Sequence, residues 1–257
     1  MNANQDNNKT LLIFASLLSN EYMNKKYGLY FYYTILHIII LFLIVECEFL
    51  QKISKSVINS PSEWGYIQKV THAFNLRVDK NTSAGKIIFI GDSHIQGLAV
   101  NEVTKEGINF GIGRDTSKTI LNRVHQYQSV QSAKIVVLAF GINDFQHRSS
   151  AEMIKNYKSI LQAIPKTTRV VINGVFNIDT EHSTIKVTNE DILVFNEKLE
   201  QLCKDFKNTT FLSINSKLTH NKELLRGYHI GDGLHLNQRG YEVWIHELKI
   251  LLSKELT

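Results

Sequence analysis

From Lys86 onward the chain alternates short, nearly unbroken apolar runs with longer segments of helical spacing. The runs lie at residues 86–90 (KIIFI), 134–140 (KIVVLAF), 169–176 (RVVINGVF) and 209–214 (TTFLSI), with a shorter fifth at 108–110. Residues 116–130, 151–164, 189–206 and 237–253 carry the helical pattern. Strands that are apolar on both faces must be covered on both. A helix between successive strands returns the chain to the same end of the sheet, so the pattern predicts a parallel sheet with helices on its two faces. Asp115 and Ser149 stand where N-caps of two of these helices belong. No fixed-period repeat is visible.

Length and composition narrow the function classes. A chain of 257 residues is one domain of ordinary size with room for an appendage. Hydrophobic residues at 43% and charged residues at 21% exclude a disordered or collagen-like chain. Two cysteines cannot build a disulfide scaffold or a multi-cysteine zinc site. The net charge of +5 is spread along the chain, with 8 basic and 6 acidic residues in 1–85 and 21 and 18 in 86–257. Without a basic block there is no electrostatic case for nucleic-acid binding.

The average hydrophobicity hides one uneven segment. Residues 29–45 read LYFYYTILHIIILFLIV, and only Thr34 and His37 interrupt the apolar and aromatic run. With Gly28 it reaches the lower limit, about 17–20 residues, for crossing a bilayer core. Tyr27, Tyr30, Tyr32 and Tyr33 cluster at one end, where amphipathic rings favour the headgroup layer. The expected organisation is therefore a tail at 1–27, a single transmembrane anchor at 28–46, a juxtamembrane helix and linker at 47–85, and a soluble domain at 86–257. The anchor is read as retained, because no small-residue cleavage site follows the run. Lysines at 25, 26, 52 and 55 flank it on both sides and give little orientation; the domain is expected outside the cytoplasm. Within 47–85, residues 62–74 form a candidate helix after Pro61, capped by Ser60 or Ser62, and residues 79–85 have linker composition. Cys47 is read as an unpaired thiol.

In an open parallel α/β sheet, ligands bind beyond the carboxyl ends of the strands. The residues following the runs are Gly91-Asp92-Ser93-His94, Gly111-Ile112-Gly113-Arg114-Asp115-Thr116 and Gly141-Ile142-Asn143-Asp144, and Asp232-Gly233-Leu234-His235-Leu236-Asn237 precedes the last helix. A serine hydroxyl needs a base to take its proton. His235 is the candidate base, and Asp232, three residues earlier, can hold the imidazole tautomer. Attack on an ester carbonyl creates an oxyanion, for which Asn143 offers an amide and the turns at Ser93 and Gly113–Arg114 offer backbone N–H groups.

In this order and placement, the four blocks resemble the SGNH, or GDSL-like, hydrolase family over about residues 86–252. The resemblance implies a three-layer α/β/α sandwich with a flavodoxin-like parallel sheet, and serine hydrolase chemistry on esters without a cofactor or metal. It implies Ser93 as nucleophile, His235 as base, Asp232 as its orienting acid, and Ser93, Arg114 and Asn143 as oxyanion donors. Arg114 departs from the family, which often has glycine there. Its backbone N–H survives, but the turn must then accept a residue with a Cβ.

Other residues receive structural readings. Asp92 braces its loop, Asp144 caps the turn that follows it, and His94 points away from the pocket. His147, His182, His220 and His229 are read as solvated loop histidines, and Cys203 as buried and inert. No metal-ligand spacing stands out, and Gly111-x-Gly113 lacks the third glycine of a dinucleotide fingerprint. The sequence thus reads as a membrane-anchored serine esterase acting on a small-molecule or glycan ester, O-acetyl esters included. The alternatives are acetyl transfer to or from a surface glycan and an inactive interaction module. Oligomeric state is not legible.

Overall fold

The structure is a computed structural model that describes residues 65–255 and a set of residues between Tyr30 and Phe42. Two compact units are resolved, Met1–Ser60 and Pro61–Thr257. In the first unit, the described residues between Tyr30 and Phe42 are helical and exposed. Most of the expected anchor at 28–46 lies outside the described residues, among which no helix is long and apolar enough to cross a membrane.

The second unit begins with α1 (Tyr66–Lys80). This helix starts and ends later than the 62–74 pattern predicts, absorbing Asp79 and Lys80 from the stretch of linker composition. The reason is tertiary. The buried Asp79 carboxylate accepts hydrogen bonds from Gln128 N (2.8 Å), Ser129 N (2.9 Å) and Ser129 Oγ (2.5 Å), which pins the last turn of α1 to the domain.

Five strands build the central sheet: β1 (Ile87–Gly91), β2 (Gly107–Asn109), β3 (Ile135–Ala139), β4 (Arg169–Asn173) and β5 (Thr209–Leu212). A separate two-stranded antiparallel pair, Thr219–His220 with Glu223–Leu224, lies outside it. All pairings in the central sheet are parallel and the order is β2-β1-β3-β4-β5. This is the flavodoxin-like order, whose switch point lies between β1 and β3. The helices between them are α2 (Ser93–Gln96), α3 (Val100–Val103), α4 (Ser117–Val124), α5 (Gln128–Gln131), α6 (Ser150–Ala163) and α7 (Asn189–Lys204), then α8 (Asn215–Leu218) and α9 (Gln238–Glu255) after β5.

Side chains alternate across the sheet, as strand geometry requires. Ile88, Ile90, Val136, Leu138, Val170 and Ile172 meet α4, α6 and α7 on one face. Ile87, Phe89, Ile135, Val137 and Val171 meet Ile95, Trp244, Leu248 and Leu252 on the other. Three layers result, with the parallel sheet in the middle. Cys203 lies in the first core, and burial pushes its thiol up to about 12, as an inert cysteine requires.

Two local expectations are corrected. The helical pattern at 116–130 breaks into α4 and α5, because Tyr127 turns fully inward to stack on Phe110 at 4.5 Å. Asp115 is not the cap of α4. Thr116 is, its hydroxyl accepting from Thr119 N, while Asp115 is buried one residue earlier. Ser149 caps α6 as expected, with Glu152 returning the bond.

Candidate functional site

Gly91 ends β1 where the chain must pass close to β3. A Cβ there would lie 2.0 Å from the Ala139 carbonyl oxygen and 2.5 Å from Ile95 Cγ1. The short helix α2 follows at once, with Asp92 as its cap accepting from His94 N. This strand-to-helix turn presents Ser93 at the carboxyl edge of the sheet, partly exposed.

The loop before α9 brings the partners. His235 Nε2 lies 2.9 Å from Ser93 Oγ, and His235 Nδ1 lies 2.6 Å from Asp232 Oδ2. The other oxygen of Asp232 accepts the backbone N–H groups of Leu234 (3.0 Å) and His235 (2.9 Å). Burial raises the Asp232 carboxyl, but the His235 ring and these backbone bonds outweigh it and hold it below the ordinary carboxylate value. Asp232 is therefore an acceptor that fixes the Nδ1–H tautomer and leaves Nε2 facing the serine. The three residues named from sequence form one continuous chain of hydrogen bonds.

The candidate oxyanion donors besides the Ser93 N–H lie on two other loops. Arg114 adopts φ 68°, the left-handed conformation that its Cβ makes unfavourable. The backbone N–H groups of Ser93 and Arg114 make no hydrogen bond among the described residues, and the Arg114 side chain is exposed. Next to Arg114, the Gly113 position is 3.9 Å from Ser93 Cβ, measured from where its own Cβ would be. Asn143 is half-buried. Its amide donates to the Asp115 carbonyl (3.0 Å), which spends one N–H on orientation and leaves the second.

Several residues that hold these loops escaped the sequence reading. Arg123 is fully buried on α4. Its Nε and Nη2 each lie 2.7 Å from Asp115 Oδ2, Nη1 donates to Tyr127 OH (2.8 Å) and Nη2 to the Gly91 carbonyl (3.3 Å). One guanidinium thus ties the Arg114 turn to the end of the nucleophile's strand. Asp144 does not cap the turn that follows it, contrary to the sequence reading. Its buried carboxylate accepts Ser117 N (2.7 Å) and Oγ (2.6 Å), which joins the Asn143 loop to the start of α4. Burial raises its pKa against the pull of those bonds and of Arg148.

Asp92 is a brace, as the sequence suggests, and so is His94, whose ring does not point away from the pocket but lies 5.7 Å from that of His235. The His94 ring is buried, its Nε2 lies 3.1 Å from the Leu234 carbonyl, and its Nδ1 lies 3.4 Å from Asp92 Oδ1. The former contact fixes the catalytic loop beside α2.

The reading of His229 and His182 as solvated loop residues is corrected. His229 is buried, and its Nδ1 accepts the N–H groups of Gly231 (3.1 Å) and Gly233 (3.0 Å), which flank Asp232. Its Nε2 then donates to Asp179 Oδ2 (3.2 Å), which also takes His182 Nδ1 at 2.8 Å. Burial alone would raise the Asp179 carboxyl, but His182, Glu181 N and His229 together lower it. Gly233 sits at φ 70°, where a Cβ would lie 2.5 Å from the Asp179 carbonyl oxygen. Asp179, Glu181 and His182 have the donor atoms of a metal site. However, Arg226 Nη2 lies 2.7 Å from His182 Nε2 and 3.3 Å from Glu181 Oε2. A guanidinium already supplies the positive charge, so these residues do not fit a resident metal. His147 and His220 are exposed, as expected.

A doubly covered parallel sheet in flavodoxin-like order, with a Ser–His–Asp hydrogen-bonded chain at its carboxyl edge, has the arrangement of a serine hydrolase. The family profile described as GDSL-like Lipase/Acylhydrolase matches residues 89–243, and the chain belongs to that family, as an ester hydrolase. Among solved structures, a Streptococcus pneumoniae protein assigned as a platelet activating factor is similar at 19% identity and a TM-score of 0.69, covering 80% of this chain and 99% of its own. A GDSL-like lipase from Bacteroides thetaiotaomicron gives 18% and 0.62, covering 71% and 97%. A catalytic mutant of an acetylxylan esterase from Geobacillus stearothermophilus gives 15% and 0.52, covering 68% and 95%. These likenesses concern the fold. The comparison with curated proteins found no match.

Proposed function

We propose that this protein is a membrane-anchored serine esterase that cleaves an ester through an acyl-enzyme on Ser93. The observation that carries the reading is the hydrogen-bonded chain from Ser93 Oγ through His235 to Asp232. Ser93 Oγ attacks the ester carbonyl as its proton passes to His235 Nε2. The N–H groups of Ser93 and Arg114 and the amide of Asn143 hold the oxyanion. The intermediate collapses, His235 protonates the departing alcohol, and water repeats the sequence to release the acid. Every proton passes between Ser93, His235, the leaving alcohol and water, so the chemistry needs no cofactor.

O-acetyl esters are the substrate class we favour. The support is that the same fold carries an acetylxylan esterase.

The anchor reading draws support from the described residues of the apolar run. Ile38, Leu41 and Phe42 are about 60% exposed. The two polar interruptions bond back onto the helix, Thr34 Oγ1 to the Tyr30 carbonyl (2.8 Å) and His37 Nδ1 to the Tyr33 carbonyl (2.7 Å). Such bonds hide polar atoms from lipid. We place the domain outside the cytoplasm; protease cutting it in intact cells supports this, and complete protection rejects it.

The chemical test uses a fluorophosphonate probe and a panel of acetyl to long-chain esters. The native chain is expected to be labelled at Ser93 and to turn over the acetyl esters. A chain that is neither labelled nor active rejects the esterase and leaves an interaction module. Acyl transfer to an added glycan in place of free acid would assign the acetyltransferase.

A further inference from the structure

One face of α1 is tied to the domain, and the side of the helix next to it is unusually apolar for exposed surface. His72, Asn75 and Asp79 form the buried side, with His72 Nδ1 3.1 Å from Tyr127 OH. About 110° round the helix from that side, Ile67 is 73% exposed, Phe74 57% and Val78 47%, and Tyr66 in the first turn is 69% exposed. At about 100° per residue, Ile67, Phe74 and Val78 fall within an arc of about 40°. They form one stripe, with half-buried Thr71 between Ile67 and Phe74 turning its hydroxyl back to the Ile67 carbonyl.

The charges of the helix have one sign. Lys69, Arg77 and Lys80 are exposed, and the only acid of the helix, Asp79, is buried in the domain. Arg77 lies over the Phe74 ring at 5.3 Å, so a guanidinium borders the stripe itself. An apolar stripe with aromatic rings and cations, and with no exposed carboxylate, matches the boundary between acyl chains and anionic headgroups. The chain also puts α1 within reach of such a surface. Twenty residues separate the apolar run at 29–45 from Tyr66, a tether of at most about 70 Å.

We propose that α1 is an interfacial helix, which lays its Ile67–Phe74–Val78 stripe on an anionic lipid surface and so fixes the hydrolase domain against the membrane. For bringing the domain near a bilayer the proposal rests on the membrane-anchored reading; the stripe itself does not depend on it. A domain held on two points cannot swing freely on its tether. Its carboxyl-edge site would then face a restricted zone, which suits an ester presented near the membrane.

The test uses the full chain with Cys47→Ser and Cys203→Ala, and with a nitroxide on Phe74→Cys or, as a control, on Lys198→Cys of α7. Each protein is mixed with vesicles of phosphatidylcholine alone or with phosphatidylglycerol. On the anionic vesicles, the label at 74 is expected to lose access to a water-soluble nickel chelate several-fold and to gain access to oxygen, while the label at 198 stays open to nickel. If the chain sediments with vesicles after a high-salt wash but label 74 stays as open to nickel as label 198, the α1 proposal is overturned and the anchor stands. If salt strips the chain but label 74 enters lipid at low salt, the anchor fails and the α1 proposal stands. If neither occurs, both fail. Shielding of label 74 from both reagents without vesicles, growing with protein concentration, assigns the stripe to a second copy and also overturns the proposal. Activity on a soluble ester is expected to be unchanged by Phe74→Ser, because α1 contributes nothing to the triad.

Discussion

His235 Nε2 and Ser93 Oγ lie 2.9 Å apart although 142 residues separate them in the chain. The sheet makes this possible. Ser93 follows the strand nearest the switch point, and His235 returns on the loop before the last helix, so both reach the same edge. Replacing Ser93 with alanine is expected to lower kcat on the order of 10⁶-fold, and Asp232→Asn about 10⁴-fold. Steady-state hydrolysis of a nitrophenyl acetate checks both.

The pH dependence follows from Asp232. Its hydrogen bonds from His235 and the backbone outweigh burial and keep its pKa low. It therefore stays ionised well below neutral pH, so the acid loss of kcat/KM near neutral pH should not report protonation of Asp232. The stability sign is the usual one for a depressed carboxyl. Its contribution is present above the unfolded value of about 3.9 and is lost as pH falls through the folded value. The Tm difference between the native chain and Asp232→Asn should accordingly shrink below about pH 4. A constant difference from pH 3 to pH 7 would contradict this.

The buried pair behind the oxyanion turn should be costly to halve. Arg123→Met leaves Asp115 charged, with neither residue exposed to water in the native fold, and is expected to cost about 3–5 kcal/mol. Adding Asp115→Asn should recover part of that loss. Calorimetry on the single and double variants measures the coupling, and strict additivity would count against the pair.

Arg114 separates backbone from side chain. Its φ of 68° costs about 1 kcal/mol for a residue with a Cβ, which glycine avoids at an entropic cost of similar size. Arg114→Gly should thus leave Tm within a few degrees and preserve kcat on neutral esters, since the N–H remains. On an ester bearing a carboxylate, loss of the exposed cation should raise KM about tenfold, the equivalent of one charged hydrogen bond. Equal KM changes on neutral and anionic esters would remove the side chain from substrate binding.

The sequence made the chemistry legible more readily than its supports. Ser93, Asn143, Asp232 and His235 each occupy a loop whose place is set by strand order, so the alternating pattern was enough to bring them to one edge. Asp115 was misplaced because both it and Thr116 are good capping types. What decides between them is Arg123, two turns further on and buried by tertiary packing. The break after α4 has the same origin, as helical spacing continues while Tyr127 is drawn under Phe110. The left-handed turn at Arg114 was anticipated only as a need, from the residue's identity.

His229 was invisible for another reason, since a histidine in a loop says nothing of its burial. In the fold its Nδ1 accepts the N–H groups on both sides of Asp232, and its Nε2 donates to Asp179. It is a positioning residue. His229→Ala would leave the Gly233 N–H buried without a partner and would loosen the turn that aims Asp232 at His235. A displacement of about 1 Å at a catalytic group can cost on the order of 10²-fold, so kcat should fall by about 10- to 100-fold with KM little changed. His229→Asn places an amide oxygen near the lost Nδ1 acceptor and should restore part of kcat, though it cannot replace the bond to Asp179. Measuring kcat per fluorophosphonate-reactive molecule separates this from simple unfolding. If His229→Ala lowers only the labelled fraction, and kcat per labelled site is unchanged, His229 supports the fold and does not aim the triad.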